Sequence, residues 1–369
     1  MKLDVDAVVV DGTMVLGDVE VADGLITRLG LPAAGSGRIA APGLVDLQVN
    51  GFAGVDLLAA DRAGVDHVAR ALAAGGVTAW QPTLITAPEE ATARALAVFR
   101  TALSDPPSGA RMVGIHLEGP FLAPSRLGTH PPADRRDPDL ALLQRMLDGW
   151  GVTTVTLAPE RPGAIELIDH LVSAGIVVSA GHTDADADAA HAAVAHGVTT
   201  VTHLFNAMRP FKARDPGIVG VALGCPDVVV QLIVDGHHLG PDAVRLVFAA
   251  AAGRVALVTD AIAAAGAGDG PTHLGEVPIT VVDGVARRVD GTLAGSTLTM
   301  LEAVRNCVAL GVDTATALHA ATAVPATVLG RADLGRVQRG GPADLIILDD
   351  SLELIQVILG GQRLETLGV

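Results

Sequence analysis

The sequence predicts an α/β fold: a TIM-like (β/α)8 barrel with a small β-sandwich domain built from both chain termini. The first observation is that short β-rich runs recur along residues 44–260, with Ala-rich stretches of helical apolar spacing between most of them. The second is that both ends of the chain alternate apolar and polar residues as strands do, without helical spacing. Eight strands alternating with helices are typical of a closed parallel barrel.

The barrel strands are predicted at 44–49, 78–85, 112–119, 154–159, 176–181, 199–205, 228–234 and 255–260. Between them, stretches such as 64–76 and 241–253 have the amphipathic spacing of helices. A doubly wound open sheet is the alternative. It is less favoured because no Gly-rich phosphate loop follows the first strand.

Each end of the chain is too short to close a sheet of its own. Residues 3–30 alternate like strands with Asp-Gly turns, and residues 343–364 also alternate like strands. We therefore predict that the two ends pair in one small β domain. The predicted domains are 1–40 with 335–369 for the small β domain, and 41–334 for the barrel.

The segment after the eighth predicted strand contains a further element. Residues 274–295, which include "VDGVARRVDG", predict a hairpin inserted at this point. Helical spacing then returns over 298–311 and 315–330.

The composition argues against nucleic acid and membranes as partners. The formal net charge is −16, and the only lysines are Lys2 and Lys212, so the surface repels nucleic acid and anionic lipid. Six Phe, two Trp and no Tyr leave few platforms on which bases could stack. Half of the residues are hydrophobic, yet none of the apolar runs reaches 18 residues, which indicates a large soluble core.

The N-terminus and the cysteines indicate a cytoplasmic protein. Asp4 and Asp6 fall where a signal peptide would have its apolar stretch, so we expect no export. Cys225 and Cys307 form no CxxC pattern and are predicted to be buried, reduced thiols.

Side chains that bind metals or move protons occur where five of the predicted strands end. They are Gln48 and Asn50 on strand one, His116 and Glu118 on strand three, His182 after strand five, His203 at the end of strand six, and Asp260 at the end of strand eight. Each one alone has an ordinary structural explanation, such as a hydrogen-bonded histidine or a helix cap. The ends of barrel strands meet at one rim, however, and one carboxylate with two imidazoles is a standard catalytic zinc set. We therefore expect a metal site at this rim.

A series of motifs runs along the chain in this order: "APGLVDLQVNG", "HLEGPFL", "GTH", "GHTDA", "THLFNAM", "ARDPG", "VDGHH", "VTDA", "LAGSTLTM" and "GGPADLIILDD". In their order and spacing, these motifs resemble the amidohydrolase superfamily, and within it the deacetylases of N-acetylated amino-sugar phosphates. "HLEGP" and "HLFNAM" are quite specific, whereas "PGLVD" and "ADLIILD" occur widely in the superfamily. The resemblance spans essentially the whole chain and implies a barrel of the amidohydrolase type.

The resemblance implies one divalent metal per subunit, held by Glu118, His182 and His203. Many amidohydrolases end strand one with His-x-His, which holds a second metal, but here the two positions are Gln48 and Asn50. Because a neutral amide oxygen is a weaker ligand than imidazole, these amides are expected to line the vacated second-metal pocket and to bond to water. The implied ion is Zn²⁺, with Fe²⁺ or Mn²⁺ as alternatives.

The activity that the resemblance implies is hydrolysis of the acetamide of N-acetylglucosamine 6-phosphate to glucosamine 6-phosphate and acetate. A divalent metal lowers the pKa of its water from about 15.7 toward 7. Asp260 is expected to take the proton of that water and to return it to the departing amine. His130, in "LGTH", matches the family's residue that hydrogen-bonds the acetyl carbonyl, although the sequence alone would equally allow an exposed loop histidine.

The resemblance also implies the substrate contacts, which are Asn206, the backbone of Ala207, Arg214, His238 and the backbone of Leu293. An arginine suits a phosphate because its planar fork binds two oxygens. The expected assembly is a homodimer in which Arg214 and His238 reach the neighbouring subunit's site. The alternatives are an ion pair of Arg214 with Asp215, and His237 in place of His238.

Two other functions stay open at this point. One is another metal-dependent amidohydrolase, such as a deacetylase of a different N-acetylated sugar phosphate. The other is a catalytically silent barrel that binds sugar phosphates. Such a barrel usually lacks a ligand or the base, and here every ligand position and the base position is filled.

Overall fold

The structure, a computed structural model, describes residues 1–365, so the final residues 366–369 of the predicted small β domain lie outside the described residues. The N-terminal segment alternates apolar and polar residues and forms strands joined by tight Asp-Gly turns. These strands are β1 (Ala7–Val10), β2 (Thr13–Leu16), β3 (Asp18–Ala22), β4 (Leu25–Leu31) and β5 (Ile39–Pro42).

The predicted parallel barrel is confirmed. Its region contains β6 (Leu44–Val49), β7 (Gly51–Phe52), β8 (Val55–Asp56), β9 (Val77–Ile85), β10 (Arg111–Met112), β11 (Ile115–Glu118), β12 (Val152–Leu157), β13 (Val177–Ala180), β14 (Val198–Val201), β15 (Val229–Leu232) and β16 (Val255–Leu257). The parallel order runs β6, β9, β11, β12, β13, β14, β15, β16. Strands β14 and β16 end earlier than predicted, so His203 and Asp260 lie in the loops that follow them.

Helices cover the barrel from outside, and apolar residues at helical spacing fill the layer between. They are α1 (Arg62–Ala74), α2 (Glu89–Ser104), α3 (Leu140–Leu147), α4 (Ala164–Ser173), α5 (Ala187–Ala195), α6 (Gly217–Gly224), α7 (Pro241–Ala250), α8 (Met300–Ala309), α9 (Thr314–Ala320) and α10 (Ala323–Val328). The helical spacing at 315–330 corresponds to two helices, because Pro325 has no N–H to continue the first one. Among residues 1–365, each helix is too short or too polar to cross a membrane.

The insertion after the eighth barrel strand is a three-stranded antiparallel sheet. Its strands are β17 (Gly270–Leu274), β18 (Val277–Val282) and β19 (Val285–Arg287). The hairpin predicted over 274–295 was therefore wrong in extent. The chain reverses at Gly275 and again at Gly284, both at positive φ, which adds a strand on the N-terminal side.

The two chain ends share one sheet, as expected. The C-terminal strands β20 (Leu345–Leu348), β21 (Leu354–Leu359) and β22 (Gln362–Arg363) join the N-terminal ones in the order β2, β1, β5, β20, β21, β22. Strands β3 and β4 form a separate two-stranded sheet, and Val21 and Ile26 from it are buried together with Val8, Leu345 and Ile347. The domain boundaries at 40/41 and 334/335 stay a prediction.

The barrel closes between its first and last strands, next to the candidate site residues. Val49 bridges Ala261 in parallel register, and the Asn50 N–H donates to the Ala261 carbonyl over 2.8 Å. Four residues before Asn50, on strand β6, the buried Asp46 carboxylate accepts a hydrogen bond from the Thr259 hydroxyl at 2.6 Å and another from the Thr259 N–H at 3.2 Å. Burial raises the pKa of Asp46 to about 7. This contact ties strand one to the residue that precedes Asp260.

Candidate metal centre and active site

A cavity of about 450 Å³ opens at the carboxyl ends of the barrel strands, where (β/α)8 proteins carry their sites. Its lining includes Glu118, His182, His203 and Asp260. These four residues, predicted from four separate strand ends, therefore lie around one cavity. Substrate-sized volumes of this kind are typical of small-molecule sites.

Three ligand atoms converge in the cavity. The Glu118 Oε1 lies 3.1 Å from the His182 Nε2 and 3.0 Å from the His203 Nε2, and the two histidine nitrogens are 3.2 Å apart. All three side chains are almost fully buried. Tetrahedral ligands about 2.1 Å from an ion are separated by roughly 3.4 Å, close to these distances. The arrangement suits a divalent metal.

The hydrogen bond of the His182 Nδ1, the ring nitrogen that faces away from the cluster, favours His182 as a metal ligand. The His182 Nδ1 lies 2.9 Å from the backbone carbonyl of Arg126. A carbonyl only accepts, so Nδ1 carries the proton and the Nε2 lone pair faces the cluster. The His203 Nδ1 is buried and has no hydrogen-bond partner among the described residues.

His130 also lies at the cluster, but its contacts make it a donor. The Thr86 backbone N–H donates to the His130 Nδ1 at 3.2 Å, and the Thr86 hydroxyl lies 2.9 Å from the same nitrogen. In neutral His130 the proton is therefore on Nε2, 3.7 Å from the Glu118 Oε2. Although Glu118, His130 and His182 are close enough to share an ion, His203 in place of His130 gives the tighter set, because its Nε2 lies 3.0 Å from the Glu118 Oε1 and 3.2 Å from the His182 Nε2.

The two amides on strand one hold the Asp260 carboxylate. The Gln48 Nε2 donates to the Asp260 Oδ1 at 3.0 Å, and the Asn50 Nδ2 donates to the same oxygen at 2.7 Å. We expected these side chains to bond to water in the vacated pocket. Instead they fix a carboxylate across the barrel closure, because amide N–H groups pair readily with an acid. Their own oxygens, Gln48 Oε1 and Asn50 Oδ1, are buried without a partner among residues 1–365.

Three of these residues have left-handed backbone conformations. The φ angles are 49° at His182, 30° at His203 and 50° at Asp260. Such conformations are uncommon outside glycine and cost about 1–3 kcal/mol each. Backbone hydrogen bonds from neighbouring loops hold the strained turns, for example from the Ser296 N–H to the Asp260 carbonyl at 2.8 Å.

The charges of the cluster follow from burial and mutual contacts. Burial lowers the pKa of His130 to about 4, so this ring is neutral at pH 7. Burial would raise the pKa of Glu118, but the adjacent imidazoles of His130, His182 and His203 hold it well below its usual value. Loss of solvation and the negative charge of Glu118 raise the pKa of Asp260 to about 6. Glu118 and most of Asp260 are therefore anionic at neutral pH.

His116 is a hydrogen-bonded structural histidine, the ordinary explanation that the sequence allowed for it. It lies in the barrel interior, two residues before Glu118, with its Nδ1 3.2 Å from the Thr83 hydroxyl and its Nε2 2.7 Å from the Thr156 hydroxyl. Burial lowers its pKa to about 4. Both ring nitrogens are occupied by hydroxyls, which leaves neither free as a ligand.

Four of the five residues expected to contact substrate line the cavity, and the fifth does not. Asn206, Ala207, His238 and Leu293 line the cavity. Arg214 is exposed on the segment before α6 and is absent from that lining. Its alternative ion pair with Asp215 does not form, because Asp215 pairs with Arg209 at 2.9 Å.

His238 corrects an expectation. We expected it to reach the neighbouring subunit's site, but it lines the cavity of its own chain. The His238 Nδ1 donates to the Asp235 carboxylate at 2.7 Å, which anchors the ring in place. His237, its alternative, is exposed.

The sequence interpretation missed three residues of the cavity region: Thr86, Arg126 and Arg287. Thr86 follows strand β9, so the strand-end argument would have included it had short hydroxyl side chains been counted. Arg126 lies four residues before His130, and its carbonyl holds His182. Arg287 belongs to the inserted sheet, whose position over the cavity no local pattern indicates.

The chain is similar to known proteins both in sequence and in fold. Residues 39–364 match the model of the Amidohydrolase family. The N-acetylglucosamine-6-phosphate deacetylase of Homo sapiens is 41% identical over 344 residues, covering 88% of this chain and 83% of that protein. The N-acetylgalactosamine-6-phosphate deacetylase of Escherichia coli O157:H7 is 36% identical, with 93% of each chain covered. A mutant N-acetyl-D-glucosamine-6-phosphate deacetylase from Mycobacterium smegmatis, solved in complex with N-acetyl-D-glucosamine-6-phosphate, superposes with a TM-score of 0.93 at 35% identity and 98% coverage of both chains.

The ligand set predicts the metal content of the protein. We expect close to one equivalent of divalent transition metal per chain, since amides occupy the two positions that would have to hold a second ion. His203→Asn should reduce the content severalfold, whereas His191→Asn, on the exposed side of α5, should leave it unchanged. Elemental analysis after exhaustive dialysis measures this. Two equivalents in the wild type, or full content in the His203 variant, would contradict the assignment.

Proposed function

We propose that this chain, which belongs to the amidohydrolase family, hydrolyses the acetamide of N-acetylglucosamine 6-phosphate to glucosamine 6-phosphate and acetate. The observation that carries the proposal is the buried triangle of Glu118, His182 and His203 beside Asp260 in one cavity. Deacetylases of amino-sugar phosphates are related to the chain over most of its length.

The metal would be held by Glu118, His182 and His203. The donor set of one carboxylate and two imidazoles suits Zn²⁺ first, and Fe²⁺ or Mn²⁺ also accept such ligands. When bound, the ion lowers the pKa of a water toward 7 and so supplies a nucleophile at neutral pH.

Asp260 acts as the general base and then as the general acid. Gln48 and Asn50 occupy its Oδ1, so Oδ2 is the oxygen left to take a proton from the attacking water. The same oxygen then protonates the departing nitrogen as the C–N bond breaks.

His130 stabilises the charge that develops on the acetyl oxygen. Thr86 directs the proton of the neutral ring to Nε2, which faces the cluster. A neutral N–H donor aimed at a developing oxyanion favours the transition state over the ground state.

A second substrate, N-acetylgalactosamine 6-phosphate, is favoured by one comparison. The Escherichia coli relative that carries this name is 36% identical over 93% of the chain. The two sugars differ only in the configuration at C4, far from the acetamide that reacts. The mechanism above applies to either sugar.

We propose that the protein is a cytoplasmic homodimer, and that a residue of the neighbouring subunit contacts the phosphate of the substrate. Asn206, Ala207, His238 and Leu293 line the cavity of their own chain, while Arg214 is exposed and forms no ion pair among residues 1–365. Such a free guanidinium can serve the site of a second copy. This supports Arg214, and no longer His238, as the residue that acts across the interface.

Acetate release tests the proposed reaction. The protein should release acetate from N-acetylglucosamine 6-phosphate far faster than from unphosphorylated N-acetylglucosamine. Asp260→Asn should lower turnover at least about 10²-fold, because the base is lost while the metal ligands stay. Equal rates on the two sugars would rule out a sugar-phosphate substrate, and full activity of the variant would remove Asp260 from the mechanism.

Subunit mixing tests the role of Arg214. Inactive Asp260→Asn chains are combined with inactive Arg214→Ala chains under conditions of proven subunit exchange. If Arg214 acts across the interface, half of the dimers regain one working site, and about a quarter of wild-type activity should return. No recovery would place Arg214 in the site of its own chain.

A further inference from the structure

The proposed substrate has its two polar ends on opposite sides of the sugar ring. The acetamide is attached at C2, and the phosphate is attached through C6 to C5, across the ring. With the acetamide at Glu118 and Asp260, the phosphate must point away from these two buried acids, toward the mouth of the cavity. A dianion there needs a cation, because the formal net charge of the protein is −16.

Two arginines line the cavity, and they differ in their partners. The Arg126 Nε and Nη2 both donate to the Asp184 Oδ1, at 2.9 Å and 2.6 Å, so the charge of Arg126 is already balanced. Arg287 forms no ion pair among residues 1–365. Its Nη1 donates to the Gly291 carbonyl at 2.8 Å, and its other guanidinium N–H groups have no partner within those residues.

The backbone holds Arg287 in a defined position relative to the reaction centre. Arg287 pairs with Leu293, and the Ala294 N–H donates to the Ala286 carbonyl at 3.1 Å. Two residues further along the same segment, the Ser296 N–H donates to the Asp260 carbonyl at 2.8 Å. The inserted sheet is thus bonded to the segment that supports the proposed base, which fixes the backbone of Arg287 at the cavity.

We propose that Arg287 is a phosphate-binding residue that the chain supplies to its own site. This inference rests on the proposed function and extends it, since it assigns a role to the inserted sheet β17–β19. The free guanidinium N–H groups bind phosphate oxygens in a charge-assisted manner. Arg287 therefore contributes to the preference for a phosphorylated sugar, in addition to the contact proposed for Arg214, and takes no part in the cleavage of the amide itself.

The experiment compares kcat/KM on N-acetylglucosamine 6-phosphate and on unphosphorylated N-acetylglucosamine for the wild type, Arg287→Ala and Arg287→Lys. For Arg287→Ala we expect a loss of roughly 10- to 100-fold on the phosphorylated sugar, the size of one lost charged hydrogen-bond contact. On the unphosphorylated sugar we expect less than about a twofold change, because the amide chemistry is untouched. The Lys variant should recover part of the loss, and inhibition by inorganic phosphate should weaken in the Ala variant.

The matched control is Arg70→Ala. Arg70 is exposed on α1, does not line the cavity, and its removal changes the net charge by the same amount. Its kinetics should equal those of the wild type. An equal effect of Arg287→Ala on both sugars, or no effect on either, would overturn the inference while leaving the proposed function intact. A wild type that does not distinguish the two sugars would instead overturn the proposed function, and this inference with it.

Discussion

The contact on which the site depends is the pair of hydrogen bonds from Gln48 and Asn50 to one oxygen of Asp260. Asp260 lies in a left-handed turn after the last barrel strand, a conformation that costs energy unless its surroundings hold it. The two amides come from the first barrel strand, so the bonds also cross the closure of the barrel. The same hydrogen bonds to Asp260 therefore connect the first and last barrel strands and orient the proposed base.

This arrangement also supports the proposal of a single ion. In a site with two metals, the second ion can orient the base. Here the neutral amide N–H groups of Gln48 and Asn50 orient Asp260 without adding charge. In the proposed site, Glu118, His182 and His203 form the ligand set, and His130 stays outside it because Thr86 directs its proton toward the cavity. For His182 and His130, the hydrogen bond on the far side of the ring determines which nitrogen carries the proton, and so whether the ring offers the cluster a lone pair or an N–H.

Much of this could be predicted from the sequence because it depends on local patterns. The alternation of strands and helices predicted the barrel, and the polar residues at strand ends predicted which side chains meet, since parallel strands end at one rim. The donation from Gln48 and Asn50 to Asp260 could not be predicted, because it depends on how two distant strands meet at the closure. The position of Arg287 at the cavity could not be predicted either, because it depends on where the inserted sheet packs. The same holds for the orientation of the His238 ring, which depends on its hydrogen bond to Asp235.

The central claim is that the strand-one amides orient the base and do not merely fill an empty pocket. The most direct test is the turnover of a Gln48→Met, Asn50→Leu double variant, which approximates the shape of both side chains and removes both donors. The account predicts that kcat falls at least about 10-fold, with one metal retained per chain and little change in KM. A double variant with wild-type kcat and full metal content would contradict it.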